Sequence, residues 1–231
     1  MSASTVDVTV VVAVRDGARY LAAALDSVLA QDPSPREVIA VDDGSTDDTL
    51  AVLERYAPRV RTLRQPPSGQ PAALNTGIAA ATSEWLAFVD ADDEWTPASL
   101  AVRWAHVAPD VDLVSGRVEQ FVSPELPPAT QARFRFDPEP SRGQVFGSLL
   151  VRRSALARVG ELDESLPSAS TIDWISRARS AGVRMVAVDD VVLRRRLHES
   201  NLGVTNDDEV TRQALRDVVR AHHARRQEPP A

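Results

Sequence analysis

Short, unbroken apolar runs alternate along this chain with segments whose apolar positions recur three and four residues apart. A run too short for a helix and apolar throughout reads as a strand buried on both faces, and the three-and-four spacing reads as a helix with one packed face. On that basis residues 8–14 form a strand, Arg15-Asp16-Gly17 a turn, and residues 18–30 a helix carrying Leu21, Leu25, Val28 and Leu29 on one face. A second strand spans 37–41 and a helix 47–56, with Ser45 and Asp48 in a capping-box-like relation at its start. Residues 60–63 form a third strand, the proline-rich stretch 66–71 a loop, and 72–81 a helix of small residues. The strand at 85–89 runs straight into Asp90, Asp92 and Asp93, after which Thr96 and Pro97 supply an N-cap and a first-turn proline for another helix.

Strand and helix alternate in this way over about the first 110 residues, the pattern of a mostly parallel sheet with helices on both faces. The rhythm then changes. A strand is expected at 112–122 with Gly116 at a bulge, and the stretch 123–143, with five prolines and no period, is expected to be an irregular excursion near the substrate. Later elements are a short strand and helix within 149–160 (helix 153–159), a helix at 171–181 closed by Gly182, and strands at 183–188 and 191–196. A terminal helix runs from Asp207 and Asp208, acids that suit its first turn, to about residue 226. No repeat or linker divides the chain, so a single domain over 1–231 is expected, in two halves at about 8–110 and 111–205 with a terminal helix and tail at 206–231.

Composition narrows the chemistry. A net charge of −7 argues against non-specific nucleic-acid binding, and no apolar run approaches the roughly 18 residues of a membrane span. The N-terminus has neither the basic region nor the apolar core of a signal peptide, so the expected location is the cytoplasm, free or peripheral to the membrane. Zero cysteines exclude disulfides, thiolate metal sites and a cysteine nucleophile. Every basic side chain other than histidine is Arg, which removes Schiff-base and phosphate-loop lysines.

Two strand ends carry the candidate chemistry. The second strand ends on Asp42-Asp43-Gly44-Ser45 and the fourth on Asp90-Ala91-Asp92-Asp93. In a parallel sheet both open on the same edge, where open α/β folds bind their ligands. Carboxylates this dense repel one another, and a hard divalent cation shared with a diphosphate offsets that repulsion. The other cluster is free to accept hydrogen bonds from a base or a sugar. The plain alternative for each is a solvated acidic turn capping the following helix.

The stretches VVVAVRDGARYLAAALDSVLAQ, VDDGSTDDT and SGQPAALNTGIAAATSEWLAFVDADDEW resemble the nucleotide-binding half of family 2 glycosyltransferases with the GT-A fold. ARVGELDESL, IDWISRARSAG and RRRLHESN are similar to that family's acceptor half. The resemblance implies transfer, with inversion, of a sugar from a nucleotide-diphosphate donor, with Mn²⁺ or Mg²⁺ bridging protein and diphosphate. It assigns Asp43 to the imide hydrogen of uracil or thymine, with Asp42 shaping that pocket. Asp90 and Asp92 become the DxD motif, Asp92 making the direct metal contact. Val14 and Arg15 meet the nucleotide through backbone, and Gly69 and Asn75 belong to a loop and helix beneath the donor. Arg195, Arg196 and His198 match a late Arg-x-x-His element facing the diphosphate, with His198 able to reach the metal. His106, His222 and His223 have no ligand partners at suitable spacing and are expected to be surface or packing residues.

One position departs from the family. Its catalytic base is the Asp of a Glu-Asp pair in a pattern like EDxDW, and here Ser170 and Thr171 stand in the place of that pair. Asp173 is the remaining acid on the helix and the candidate base, although it lies about 200° around the helix axis from Thr171. Asp163 and Glu164 are nearby alternatives, and an acceptor that is itself a ready nucleophile is another. The competing function is a non-catalytic nucleotide-sugar-binding or partner-binding module that has lost its base. A sugar-phosphate nucleotidyltransferase is set aside, because only Gly17 follows the first strand and Lys is absent. The acceptor (glycan, lipid-linked sugar, peptide or small molecule) leaves no mark in the sequence.

Overall fold

The computed structural model describes residues 4–142 and 145–199, together with Arg216, Val219 and Arg220, which are helical. The rest of the terminal helix expected from Asp207, with His222 and His223, lies outside the described residues. In chain order the elements are β1 (Thr5–Val14), α1 (Leu21–Leu29), β2 (Ser34–Asp42), α2 (Thr49–Glu54), β3 (Arg61–Arg64), α3 (Gln70–Ala80), β4 (Trp85–Phe88) and β5 (Glu94–Trp95). They continue with α4 (Ser99–Trp104), β6 (Leu113–Val122), α5 (Pro128–Gln131), a 3₁₀ turn at Phe146–Ser148, β7 (Leu149–Arg152), α6 (Arg153–Val159), α7 (Ser170–Ser180) and β8 (Met185–Leu197).

The strands form one sheet in the order β3-β2-β1-β4-β7-β6-β8-β5. Pairing is parallel from β3 to β4 and again between β6 and β8; β7 runs against both its neighbours, and β5 against β8. Successive side chains of a strand point to opposite faces. In β1, Val8, Val10, Val12 and Val14 therefore enter one apolar cluster, while Val11 and Ala13 enter the other. β4 divides in the same way, with Trp85 and Ala87 on the first face and Leu86 and Phe88 on the second. Leu21, Leu25 and Val28 of α1 and Leu100 of α4 cover the first face. Ala73 and Leu74 of α3, Leu156 of α6 and Trp174 of α7 cover the second. Two covered faces are why the strand sequences show no polar alternation.

Several local expectations are corrected. Thr96 does not cap a helix: its hydroxyl donates to the Val191 carbonyl at 2.7 Å, tying it to β8, and α4 begins only at Ser99. Ahead of it, Glu94–Trp95 forms a strand, β5, too short to leave a periodic signal. The Ser45–Asp48 box does not form either. Ser45 Oγ accepts from Asp16 N at 2.9 Å, and it is Asp47 that accepts from Thr49 N, also at 2.9 Å. The two expected late strands are one, β8, and the proline-rich excursion contains the short helix α5. The bulge at Gly116 is present as a register shift between β6 and β8. No described helix is long and apolar enough to cross a membrane.

Candidate functional site

The parallel strands β1, β2 and β4 end on one edge of the sheet, and a cleft of about 610 Å³ opens there. Val14, Arg15 and Asp43 line it from the ends of β1 and β2, with Gly69 at the head of α3. Asp90 and Asp92 enter after β4, and Arg195 and His198 from the end of β8. Eight positions singled out in the sequence thus surround one space.

Asp43 is buried and already bonded. Its Oδ1 accepts from Gln65 Nε2 and Ser68 N, and its Oδ2 from Gly69 N, each at 2.8 Å. The carboxylate therefore holds the loop from Gln65 to Gly69 against the end of β2. Gly69 carries the chain into α3 with φ of +95°, a conformation that glycine adopts without steric cost.

The acidic turn after β4 is held from two sides. Gln70, the first residue of α3, donates Nε2 to Asp90 Oδ1 at 2.8 Å. His198 Nε2 lies 2.9 Å from Asp92 Oδ2. Asp93 also borders the cleft, its Oδ1 accepting from Arg196 N at 2.9 Å and so fixing the turn to β8. Burial, and then the charge of Asp92, push the Asp90 carboxyl up to about 6, although Arg195 pulls the other way. Burial and the charges of Asp90 and Asp92 likewise raise Asp93 well above the usual carboxylate range. The turn thus carries more negative charge than its protein neighbours offset.

Asp42, Asn75, Arg196 and Asp173, with the alternative bases Asp163 and Glu164, are not among the cleft-lining residues. Asp42 is fully buried; its Oδ1 accepts from Ser45 N at 3.0 Å and its Oδ2 lies 3.2 Å from Arg64 Nε, so it braces the turn on which Asp43 sits. Asn75 pins the segment before α7: its Nδ2 donates to the Leu162 carbonyl at 3.0 Å and its Oδ1 accepts from Leu162 N at 2.9 Å. Arg196 faces away from Arg195, as strand alternation requires. Its guanidinium bonds Glu94 Oε1, the Asp92 carbonyl at 3.0 Å and Ser123 Oγ at 3.3 Å. Asp173 is fully buried in α7, where its Oδ2 accepts from Arg177 Nε at 2.8 Å.

The cleft also contains residues that sequence reasoning passed over, chiefly Asp16, Arg19, Tyr20, Gln70 and Glu199. Asp16 has a positive φ of 49° and accepts from Thr46 N at 2.7 Å, which locks the β1 and β2 turns together. Glu199 adjoins His198, and Gln70 follows the glycine of the loop, so proximity to flagged positions was the available signal. Tyr20 had none, because one tyrosine in a helix's first turn reads as packing.

Acidic turns gathered at the carboxyl edge of a mostly parallel sheet, facing a basic strand end, sit where open α/β folds bind their ligands, in an architecture of the GT-A kind. The sequence model of glycosyl transferase family 2 matches residues 9–160, and the chain belongs to that family. An uncharacterized glycosyltransferase of Nostoc, alr2836, is 45% identical over 97 residues, which are 40% of this chain and 30% of that protein. The chain thus spans under a third of that relative. An uncharacterized glycosyltransferase of Mycobacterium tuberculosis, Rv0539, is 29% identical over 172 residues, 71% of this chain and 77% of that protein. Among solved structures, Staphylococcus aureus TarS 1–349 in complex with UDP-GlcNAc shares the fold at a TM-score of 0.65 and 20% identity, over 83% of this chain and 59% of that one. The Pyrobaculum calidifontis mannosyltransferase PcManGT, in complex with GDP-Man and Mn²⁺, does so at a TM-score of 0.65 and 22% identity, over 86% and 59%. At such identities the likeness is one of fold.

Proposed function

We propose that this chain transfers a sugar, with inversion, from a nucleotide-diphosphate donor lying across the cleft from Asp43 to Asp92. The observation that carries the reading is the cleft itself, which joins a polar anchor at the end of β2 to an under-compensated acidic turn after β4. Arg195 supplies a guanidinium between them, suited to phosphate oxygens.

The residues present fit a hard divalent cation, Mn²⁺ or Mg²⁺. Among the described residues no three His, Asp or Glu side chains form a ready-made ion site. An ion here would be held by few protein ligands and completed by phosphate oxygens and water. Asp92 and Asp90 would hold it with His198 beside them; Gln70 and His198 each engage one carboxylate oxygen and leave the other for the ion. When bound, the ion would offset negative charge gathering on the departing diphosphate. Arg195 orients the diphosphate, and the backbone of Val14 and Arg15 borders the nucleotide.

Asp43 favours uracil or thymine. A carboxylate oxygen accepts two hydrogen bonds, and three of the four acceptor positions are filled from within the chain. One remains, which matches the single imide N–H of a pyrimidine. Guanine offers two neighbouring donors and would leave one unmet at a cost of about 1–3 kcal/mol. PcManGT shows that the fold itself accommodates GDP-Man, so base choice rests on local side chains of this kind.

The base is not Asp173 in this reading, because its carboxylate is committed to Arg177 inside α7. Ser170 and Thr171 open α7, where the family carries its Glu-Asp pair. The acceptor, a glycan, lipid-linked sugar, peptide or small molecule, would deprotonate against another group or arrive as a ready nucleophile. Calorimetry with UDP, dTDP and GDP, with and without Mn²⁺, tests the donor assignment. UDP or dTDP should bind more tightly than GDP and more tightly with metal, and Asp92→Asn should cut the metal-dependent affinity at least about tenfold, ~1.4 kcal/mol. Equal UDP affinity in folded Asp92→Asn with metal present would remove Asp92 from the site.

A further inference from the structure

Tyr20 opens α1 just past the β1 turn, its N bonded to the Gly17 carbonyl at 3.1 Å, and its ring borders the cleft. The ring lies 4.7 Å, centroid to centroid, from the imidazole of His198, tilted by 40°. Arg196 stands over the same tyrosine ring at 4.8 Å, and Arg19 at 5.1 Å. Its hydroxyl lies 3.3 Å from Oγ of Ser123, a fully buried residue whose N donates to the Leu197 carbonyl at 2.9 Å. Tyr20 is thereby fixed by its backbone, by its ring faces and by its hydroxyl.

His198 lies just past the end of β8, so the sheet no longer dictates its orientation. Two contacts that bear on the imidazole plane are Tyr20 on one side and Asp92 Oδ2 at 2.9 Å. An imidazole donates or ligates only in its ring plane, so a small rotation about χ2 would carry Nε2 away from Asp92. From this we infer that Tyr20 is a positioning residue for the proposed diphosphate–metal site, its ring holding His198 Nε2 toward Asp92. The inference rests on the metal reading above and extends it to a residue that touches neither ion nor carboxylate. It also links the start of the proline-rich excursion to the site, through Ser123, Tyr20, His198 and Asp92 in sequence.

The test is UDP binding by calorimetry, with and without Mn²⁺, in Tyr20→Met, Tyr20→Phe, His198→Ala and the Tyr20→Met/His198→Ala double variant. Methionine keeps apolar bulk and helix compatibility, though with less volume, while removing the ring plane, and phenylalanine keeps the ring and loses only the contact with Ser123. Tyr20→Met should weaken UDP binding in Mn²⁺ about five- to tenfold and leave metal-free binding as it was. Tyr20→Phe should stay within about twofold of the parent. In the His198→Ala background, Tyr20→Met should add nothing, the mark of one residue acting through another. Wild-type protein that binds UDP equally with and without Mn²⁺ would overturn the metal reading and this inference together. Wild-type Mn²⁺ dependence with Tyr20→Met unaffected, or as damaging without His198 as with it, would overturn this inference alone. A fall in metal-free and metal-dependent binding alike would assign Tyr20 to packing and overturn it as well.

Discussion

At the scale of single residues, the site depends on side chains that serve the protein and the proposed ligand at once. Asp43 holds three donors of the Gln65–Gly69 loop, so Asp43→Ala should have two separable effects. It should lower stability by about 1–3 kcal/mol, because Ser68 N and Gly69 N lose their acceptor. It should also flatten the preference for UDP over GDP. Thermal denaturation reads the first effect and calorimetry the second; an unchanged base preference in a destabilised variant would confine Asp43 to loop support. The sequence exposed Asp43, Asp90 and Asp92 because each ends an apolar run, where an acid has no packing reason to be. It could not separate Arg195 from Arg196, which differ only in the face of β8 they occupy. Nor could it show Asp173 to be an interior residue, since the Arg177 partner one turn later is an ordinary helix pairing until burial is known.

At the scale of elements, α3 packs closely on the sheet. Ala72, Ala73 and Gly77 give this helix a flat face, and a Cβ at Gly77 would overlap Val11 Cγ1 and come within 3.3 Å of Val41 Cγ2. Because α3 also presents Gly69 and Gln70 to the cleft, its seat on β1 sets where the acidic turn is held. Gly77→Ala should therefore cost about 1–3 kcal/mol and weaken UDP binding alongside. A variant as stable as the parent, by chemical denaturation, would show that Val11 yields at no cost. In the first half β1, β2 and β4 were legible because their apolar runs are buried on both faces, and the helices because they pack one face. β5 was not legible, because two residues carry no period, and Thr96 misled because its hydroxyl donates to β8 and the helix begins only at Ser99.

At the scale of the molecule, one carboxylate ties the edge opposite the cleft. Asp112 precedes β6, and its Oδ2 accepts from Arg158 Nη2 of α6 at 2.8 Å and from Arg184 N, just before β8, at 3.0 Å. Burial alone would raise its carboxyl, but the Arg184 N–H and Arg158 outweigh that and hold it below the ordinary value. A group depressed in the folded state stabilises fully above its unfolded pKa, near ~4, and loses that contribution as pH falls through the folded value. Asp112→Asn should thus melt lower than the parent at about pH 7, and the two melting temperatures should converge as pH falls through the depressed folded value. Parallel curves across that range would remove Asp112 from the acid response. The cleft draws its lining from both sides of residue 110. β8 pairs with β6 over most of its length and with β5, and it delivers Arg195 and His198 to the acids that follow β4.

That return of β8 bears on how such chains can be recombined. A chimera joined near residue 110, meant to exchange acceptors while keeping the donor, would import a foreign guanidinium and imidazole into the donor cleft. It would also set a new β8 against the old β5, where Thr96, Glu94 and Asp93 are matched to the resident strand. On the proposed reading, donor grip is then inherited from both parents, and a graft that spares it must leave β8 behind and exchange only what lies between β6 and α7.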